Sequence, residues 1–303
     1  PKPCWVYNVT TAFYFRENFL DLSSIVIVGG GAGGLELACK LGRKLGPDRV
    51  TLVDAKMYHI WKPSLHEVAA GTLDIHQEGL SYPMLAHNNG FNFVLGAMEG
   101  LNGRDRQVEI AAVRDDVGDE VLPRRVLQFG TLVISVGSQS NYFGVKGAQD
   151  FTISLDGPQQ AESFRLKMLK HLATLDLRKK LDPSASLDIV IIGAGATGVE
   201  LAAELREASH VHSRYGFSRI DAARDVTITI LEGAPSILPV LPESVSSAAL
   251  RLLEQRHITV VNNCRVVEIS SKQVEDASGN RYKADLCVWA AGIKAPAWLA
   301  NLG

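Results

Sequence analysis

IVIVGGGAGGLELACKL, residues Ile25 to Leu41, returns as IVIIGAGATGVELAAEL, residues Ile189 to Leu205, with about two thirds of the paired positions identical. Each copy is a β-branched run, then a glycine cluster, then apolar residues at helical spacing, which predicts a buried parallel strand, a tight turn and a helix. A second strand follows each copy, TLVD at Thr51 to Asp54 and TITILE at Thr227 to Glu232, and both end on an acid. The chain therefore opens two βαβ units. The expected class is α/β, with two Rossmann-like dinucleotide-binding domains.

Between the units, QVEIAAV, VLPRRVLQFG and TLVISVG read as a small meander returning to the first sheet. Gly157 to Lys180 has helical spacing, and LDPSAS follows as a linker. The division expected is an N-terminal extension over residues 1–24, a first unit over 25–150 and a second over 151–303. The extension reads as poorly ordered or as a misassigned start, with a membrane-surface anchor as the alternative. It has neither the continuous apolar core nor the cleavage site of a signal peptide.

The composition of the 303 residues is that of a globular chain, 46% apolar and 21% charged, and a net charge of −2 creates no field that would draw it to nucleic acid. Every hydrophobic run is interrupted before the roughly 18 apolar residues of a spanning helix. Cys4, Cys39, Cys264 and Cys287 form no CxxC pair, which sets aside flavoenzymes with an adjacent redox disulfide and fits a reducing compartment. His59, His66 and His76 lack metal-ligand spacing, and His210 and His212 fall in HVHSRYGFSRI, read as an insertion loop, so no metal is expected. The run Arg178, Lys179, Lys180 reads as a solvated helix end.

In Gly29-x-Gly31-x-x-Gly34 the first glycine permits the tight turn, the second admits a pyrophosphate to the backbone and the third lets helix and strand pack closely. The phosphate then rests on the helix N-terminus, beside Ala32 and Gly33. Asp54, with Ala55 after it, stands where a carboxylate accepts both ribose hydroxyls. Gly193-x-Gly195-x-x-Gly198, with Ala196 and Thr197 between, repeats the arrangement, and Glu232 with Gly233 ends its second strand. An acid there repels a 2′-phosphate, so the second unit is expected to take NADH rather than NADPH; the alternative is a solvated strand end. Two such sites in one chain imply hydride transfer from a nicotinamide to a flavin.

Beyond the glycine motifs, HIWKPSLHEVAAGTLD (His59 to Asp74), TLVISVGSQSNYFGVKG (Thr131 to Gly147) and ADLCVWAAGIKAPAWL (Ala284 to Leu299) carry a more specific likeness. Over Ile25 to Gly303 the sequence resembles the type II, non-proton-pumping NADH:quinone oxidoreductases of bacterial respiratory chains. These lie within the pyridine nucleotide-disulfide oxidoreductase-like superfamily, with its glutathione-reductase-like pair of domains. The resemblance implies FAD on Gly29, Gly31, Gly34 and Asp54, with Lys62 and Pro63 beside the isoalloxazine and Gly137 with Ser138 as the returning turn. A cation at Lys62 would stabilise the anionic reduced ring; the alternative is a surface lysine. Glu200 matches an acid thought to sit between nicotinamide and flavin, though helix-dipole complementarity also favours a carboxylate there and Glu36 holds the equivalent place in the first unit. Proton transfer and cofactor positioning both remain open for it. Ala291 and Gly292 would let the dinucleotide cross a strand end closely.

The activity implied is transfer of hydride from NADH to FAD, then of two electrons to a membrane quinone, by a peripheral protein on the cytoplasmic side of the plasma membrane. A homodimer is compatible with it. The family's later GD motif, quinone-pocket segment and C-terminal amphipathic anchor do not occur before Gly303, so the chain reads as truncated, with doubtful flavin affinity, and as soluble or aggregation-prone by itself. The alternatives are a nucleotide-binding fragment without turnover and a flavin reductase with a soluble protein acceptor.

Overall fold

The computed structural model describes residues 23–302, so the expectation for the N-terminal extension lies almost wholly outside the described residues. Along the first half run β1 (Ile25–Val28), α1 (Ala32–Leu45) and β2 (Val50–Asp54), the first βαβ opening. A 3₁₀ turn at Lys62–Ser64 leads into the short α2 (Leu65–Ala70), followed by α3 (Tyr82–Asn89) and β3 (Asn92–Leu95). An antiparallel meander of β4 (Met98–Asn102), β5 (Gln107–Ile110) and β6 (Arg125–Gln128) precedes the return strand β7 (Thr131–Ile134). The first sheet has the order β7-β1-β2-β3 and is parallel throughout.

The chain then passes through β8 (Gln139–Ser140) to β9 (Ile153–Ser154), α4 (Pro158–Arg178), β10 (Leu187–Ile192) and α5 (Ala196–Tyr215). β11 (Val226–Leu231), α6 (Glu243–Gln255) and β12 (Ile258–Val261) continue the second wrap. A second meander, β13 (Val266–Ile269), β14 (Gln273–Asp276) and β15 (Arg281–Lys283), returns to β16 (Leu286–Trp289), and β17 (Ile293–Lys294) follows. The second sheet is parallel, in the order β9-β16-β10-β11-β12. The molecule thus contains two Rossmann-like α/β units, each with an antiparallel meander before its return strand. Their central strands, β1 and β10, carry apolar runs because helices or the meander cover both faces.

α4 begins with Pro158 in its first turn, where a missing N–H costs nothing, and buries Ala161, Phe164, Met168, Leu172 and Leu175 at spacings of three and four. Its apolar stripe closes over a cluster that the order of the chain does not announce. α2, which lies early in the chain, packs between α4 and α5: Leu65, Val68, Ala69 and Ala70 join Phe164, Met168, Leu201 and Leu205 in one core.

Two expectations are corrected here. HVHSRY is not loop: α5 runs through His210 and His212 to Tyr215, because Leu201, Ala202, Leu205, Ala208 and Ser209 keep one face buried and Gly216 comes only afterwards. Lys179 is not a solvated helix-end charge. Its ammonium is buried against Asp225 at 2.6 Å and donates to the Pro183 carbonyl, and the like-numbered neighbours Arg178 and Lys180 are the exposed members of the run. A buried cation of this kind is tolerated only when paired and hydrogen-bonded.

The chain crosses from one half to the other twice at the same place. β8 and β17 pair antiparallel, Gln139 opposite Lys294 and Ser140 opposite Ile293, and Trp289 Nε1 donates to the carbonyls of Asn141 and Ala291. Gly292 has φ +70, and a β-carbon there would lie 2.4 Å from the Phe143 ring. Phe164, fully buried where α4 meets α2, supplies a direct test of this packing. Phe164→Ala is expected to lower unfolding stability by about 3–5 kcal/mol, read from a urea denaturation midpoint with unchanged slope.

Candidate functional site

The two glycine turns are built alike. Gly29 and Gly193 have φ of +101 and +104, and a β-carbon would lie 2.4 Å from the Ser135 carbonyl oxygen at the first and 2.8 Å from the Ala290 carbonyl carbon at the second. Gly34 and Gly198 bring helix onto strand so closely that a β-carbon would stand 1.9 and 2.0 Å from the Gly29 and Gly193 carbonyls. Gly31 and Gly195, by contrast, face open space with nothing within 4 Å. The sequence assigned the turn to the first position and close packing to the third, and the distances agree; at the second position they leave open space.

The acids at the strand ends are engaged in the turns themselves. Asp54 accepts from the Gly30 and Lys56 amides at 2.7 and 2.9 Å, and Glu232 accepts from the Ala194 and Ala234 amides at 2.6 and 2.8 Å. Each carboxylate oxygen therefore holds one backbone N–H and keeps a lone pair for a hydroxyl. No side chain caps α1 or α5, and neither has an acid in its first turn, which suits both helix N-termini to an anionic group.

The first unit carries a cleft of about 270 Å³ that brings together Gly29, Gly31, Asp54, Lys62, Gly137 and Ser138 from four separate stretches of chain. Lys62 Nζ donates to the Ser138 carbonyl at 3.0 Å and stands 4.0 Å from Asp156, so this lysine is tied to the returning turn rather than loose. Gly137 makes that turn with φ +74. Ala32 and Gly33 form the exposed first turn of α1, Gly34 is buried, and Ala55 and Pro63 are exposed and do not line the cleft.

Sequence reasoning missed other residues of the same cleft. Tyr82 and His59 line it, and both point at one acceptor: the Gly30 carbonyl takes the Tyr82 hydroxyl at 2.6 Å and His59 Nδ1 at 3.0 Å. A carbonyl can only accept, so Nδ1 carries the proton. Burial, with the Asp54 charge nearby, pushes the Tyr82 phenol far above its ordinary value and keeps it a donor. The Tyr82 ring also fills the place where a Gly30 side chain would go, with its nearest atoms 2.5 Å from a β-carbon. Lys56 and Asp156 complete the polar lining. Neither tyrosine nor histidine has a spacing signature, since both act through the fold over 52 and 29 residues.

In the second unit Ala196 and Thr197 form the exposed first turn of α5, and Gly233 is exposed just after Glu232. Ala291 and Gly292 lie where β16 leaves the sheet, and the Gly292 carbonyl accepts from the Asn141 amide at 3.2 Å. Glu200 is half exposed and turned toward α2, with Oε2 3.6 Å from His66 Nδ1. Among the described residues no cluster of three or more His, Cys, Asp or Glu could hold a metal ion, and no helix is long and apolar enough to cross a membrane. The thiols of Cys39, Cys264 and Cys287 are free, and burial pushes that of Cys287 up to about 12.

Residues 23–302 match the model of the family described as pyridine nucleotide-disulphide oxidoreductase. The chain belongs to this family. Within it, the chain is 39% identical over 289 residues to the type II NADH:quinone oxidoreductase of Haemophilus influenzae, and 28% identical over 283 residues to that of Staphylococcus saprophyticus. Each alignment covers 90% of the chain and 65% of the relative, so the chain spans somewhat less than two thirds of the curated proteins it matches. NDH2 from Plasmodium falciparum in complex with NADH shares the fold, with a TM-score of 0.75 at 22% identity over 90% of this chain and 56% of that one. A NAD-dependent persulfide reductase from A. fulgidus shares it at 0.70, with 21% identity over 92% and 47%.

The family's glycine geometry yields a paired test. Gly34→Ala drives a β-carbon into the Gly29 carbonyl and is expected to lower stability by about 1–3 kcal/mol. Gly31→Ala meets open space and is expected to leave the thermal midpoint unchanged while weakening dinucleotide binding, read by fluorescence titration.

Proposed function

We propose that the protein transfers hydride from NADH to FAD, and from there two electrons to a membrane quinone, without proton pumping. The observation that carries this reading is the repeated turn: two glycine loops, each with an open second glycine and a strand-end carboxylate holding the loop amide, are placed in one chain with a cleft beside the first. A bound flavin supplies the two-electron chemistry that joins a hydride donor to a quinone. The 39% likeness to a type II NADH:quinone oxidoreductase supports the choice of donor and acceptor.

The chain's own residues divide the work. Gly31, Ala32, Gly33 and the α1 N-terminus would take the FAD pyrophosphate, with Gly34 allowing the helix its approach. Asp54, followed by Ala55, would take the adenosine ribose. Lys62, at the start of the turn that includes Pro63, is fixed by Ser138 at the end of the cleft that also holds Gly137, and it would offset negative charge on a reduced ring. Gly195, Ala196, Thr197 and the α5 N-terminus would take the NADH pyrophosphate, with Gly198 as the packing glycine. Glu232 and Gly233 would take the ribose, and Ala291 and Gly292 would leave room at the strand end. Glu200, at the junction with α2, is suited to positioning the nicotinamide or to moving a proton. These assignments follow a division at about residue 150 into a flavin unit and a nicotinamide unit.

Met57, Trp61, Leu80 and Met84 are exposed on or next to the paired segments Tyr58–His59 and Leu80–Ser81 beside the proposed flavin cleft, where Tyr82 donates its amide to the Met57 carbonyl. Such a surface supports peripheral membrane attachment close to the quinone, which this reading puts on the cytoplasmic face of the plasma membrane; a homodimer would bury the same residues.

Two experiments test the reading. Purified protein incubated with FAD is expected to show a flavin absorption band that bleaches on anaerobic addition of NADH and is restored by a soluble quinone. Flavin that binds but stays oxidised in NADH would sink the proposal. Glu232→Gln removes the charge that opposes a 2′-phosphate while keeping an oxygen for the Ala194 amide, and is expected to raise the NADPH to NADH preference by about tenfold, near 1.4 kcal/mol. An unchanged ratio in steady-state kinetics would remove Glu232 from cofactor selection.

A further inference from the structure

Glu200 occupies in the second repeat the place that Glu36 occupies in the first, and the next turn holds Glu204 where the first repeat has Lys40. In the first unit Glu36 stays on its own exposed helix, 2.5 Å from Lys40, whose hydrogen bond holds its carboxyl below the usual range. In the second unit the same spacing sets two like charges one turn apart, which disfavours a helix by itself. Both acids find partners elsewhere. Glu200 Oε2 lies 3.6 Å from His66 Nδ1, and Glu204 Oε2 lies 3.3 Å from the Thr72 hydroxyl, which also faces the Glu67 carbonyl.

His66 and Thr72 belong to α2 and the turn that closes it. His66 is largely enclosed, its side chain 14% exposed, while Glu200 opposite it is half exposed. The charged groups around the imidazole are Glu200 from α5 and Glu67 from its own helix, with Nε2 3.9 Å from Glu67. At the end of α2, beside Gly71, the Arg165 guanidinium of α4 is bound by Glu162. The segment that places His66 also carries Lys62, four residues earlier and hydrogen-bonded at the flavin cleft. One short run of chain therefore touches the proposed flavin site at one end and the nicotinamide-side helix at the other.

We infer that His66 is a positioning residue for Glu200, and that α2 is a clasp fixing where this carboxylate stands as NADH meets the flavin. The inference rests on the NADH–flavin reading above. The acidic pair Glu200 and Glu204 is then explained by docking: residues that would repel each other along a lone helix are each matched by α2.

The test is a double-mutant cycle on the full chain loaded with FAD, using His66→Ala, Glu200→Gln and the double variant. His66→Asn serves as the conservative variant, since its amide can place an N–H where Nδ1 stands, and Glu36→Gln serves as the control in the first repeat. Stopped-flow reduction by NADH under anaerobic conditions gives the limiting rate constant and the apparent Kd separately. Each single variant is expected to slow the limiting rate by about tenfold, with the double variant no slower than either, because coupled residues are not additive. His66→Asn is expected to recover most of the rate, Glu36→Gln to retain it, and the apparent Kd to move less than twofold.

Losses that multiply in the double variant, absence of rescue by asparagine, or an equal loss in Glu36→Gln would each overturn the inference. Should His66→Ala fold poorly in urea, the comparison of His66→Asn with the exposed Glu200→Gln decides it alone. A wild-type flavin that NADH does not reduce is seen without any variant; it would defeat the functional reading and the role of His66 with it.

Discussion

Everything at the two nucleotide turns depends on a carboxylate at the end of the second strand gripping the amide that follows the first glycine. Asp54 does this for Gly30 and Glu232 for Ala194, at nearly equal distances. A hydrogen bond to an ionised acceptor contributes about 1.5–3 kcal/mol, enough to hold a tight turn whose first glycine lies in a conformation other residues avoid. The same bond sets the carboxylate's direction, so its remaining lone pairs are already oriented. The proposed binding and the folding thus draw on one interaction.

The two turns diverge only where other segments touch them. Gly30 has no side chain because the Tyr82 ring occupies that space, and its carbonyl is held by Tyr82 and His59. The matching position in the second unit, Ala194, carries a methyl group that is fully buried, and its carbonyl instead accepts the Leu238 amide. The same contrast separates Glu36 from Glu200. A repeat in sequence sets the local geometry, and the surroundings decide what each copy can do with it.

What could be read without a structure follows from this. Strand, turn, helix and strand-end acid are local patterns with fixed spacing, so both units, the meander before β7 and the long α4 were legible from residue order. The roles of the first and third glycines were also legible, because each is a backbone requirement. Tyr82, His59 and the α2 packing were not, since they are set by contacts across tens of residues. Lys179 looked like a surface charge because the sequence does not show Asp225 folding over it. His210 and His212 looked like loop because a polar stretch hides the continuing apolar face of α5.

The double crossing at β8 and β17 has a mechanical side. Two strands side by side, with Trp289 bonded to the carbonyls of Asn141, just after β8, and Ala291, just before β17, form a single ribbon rather than two separate threads. Such a ribbon resists splaying but yields to torsion, and the Phe143 ring seated on Gly292 acts as its stop. The halves are therefore joined at that ribbon and, through α2, at the core it shares with α4 and α5.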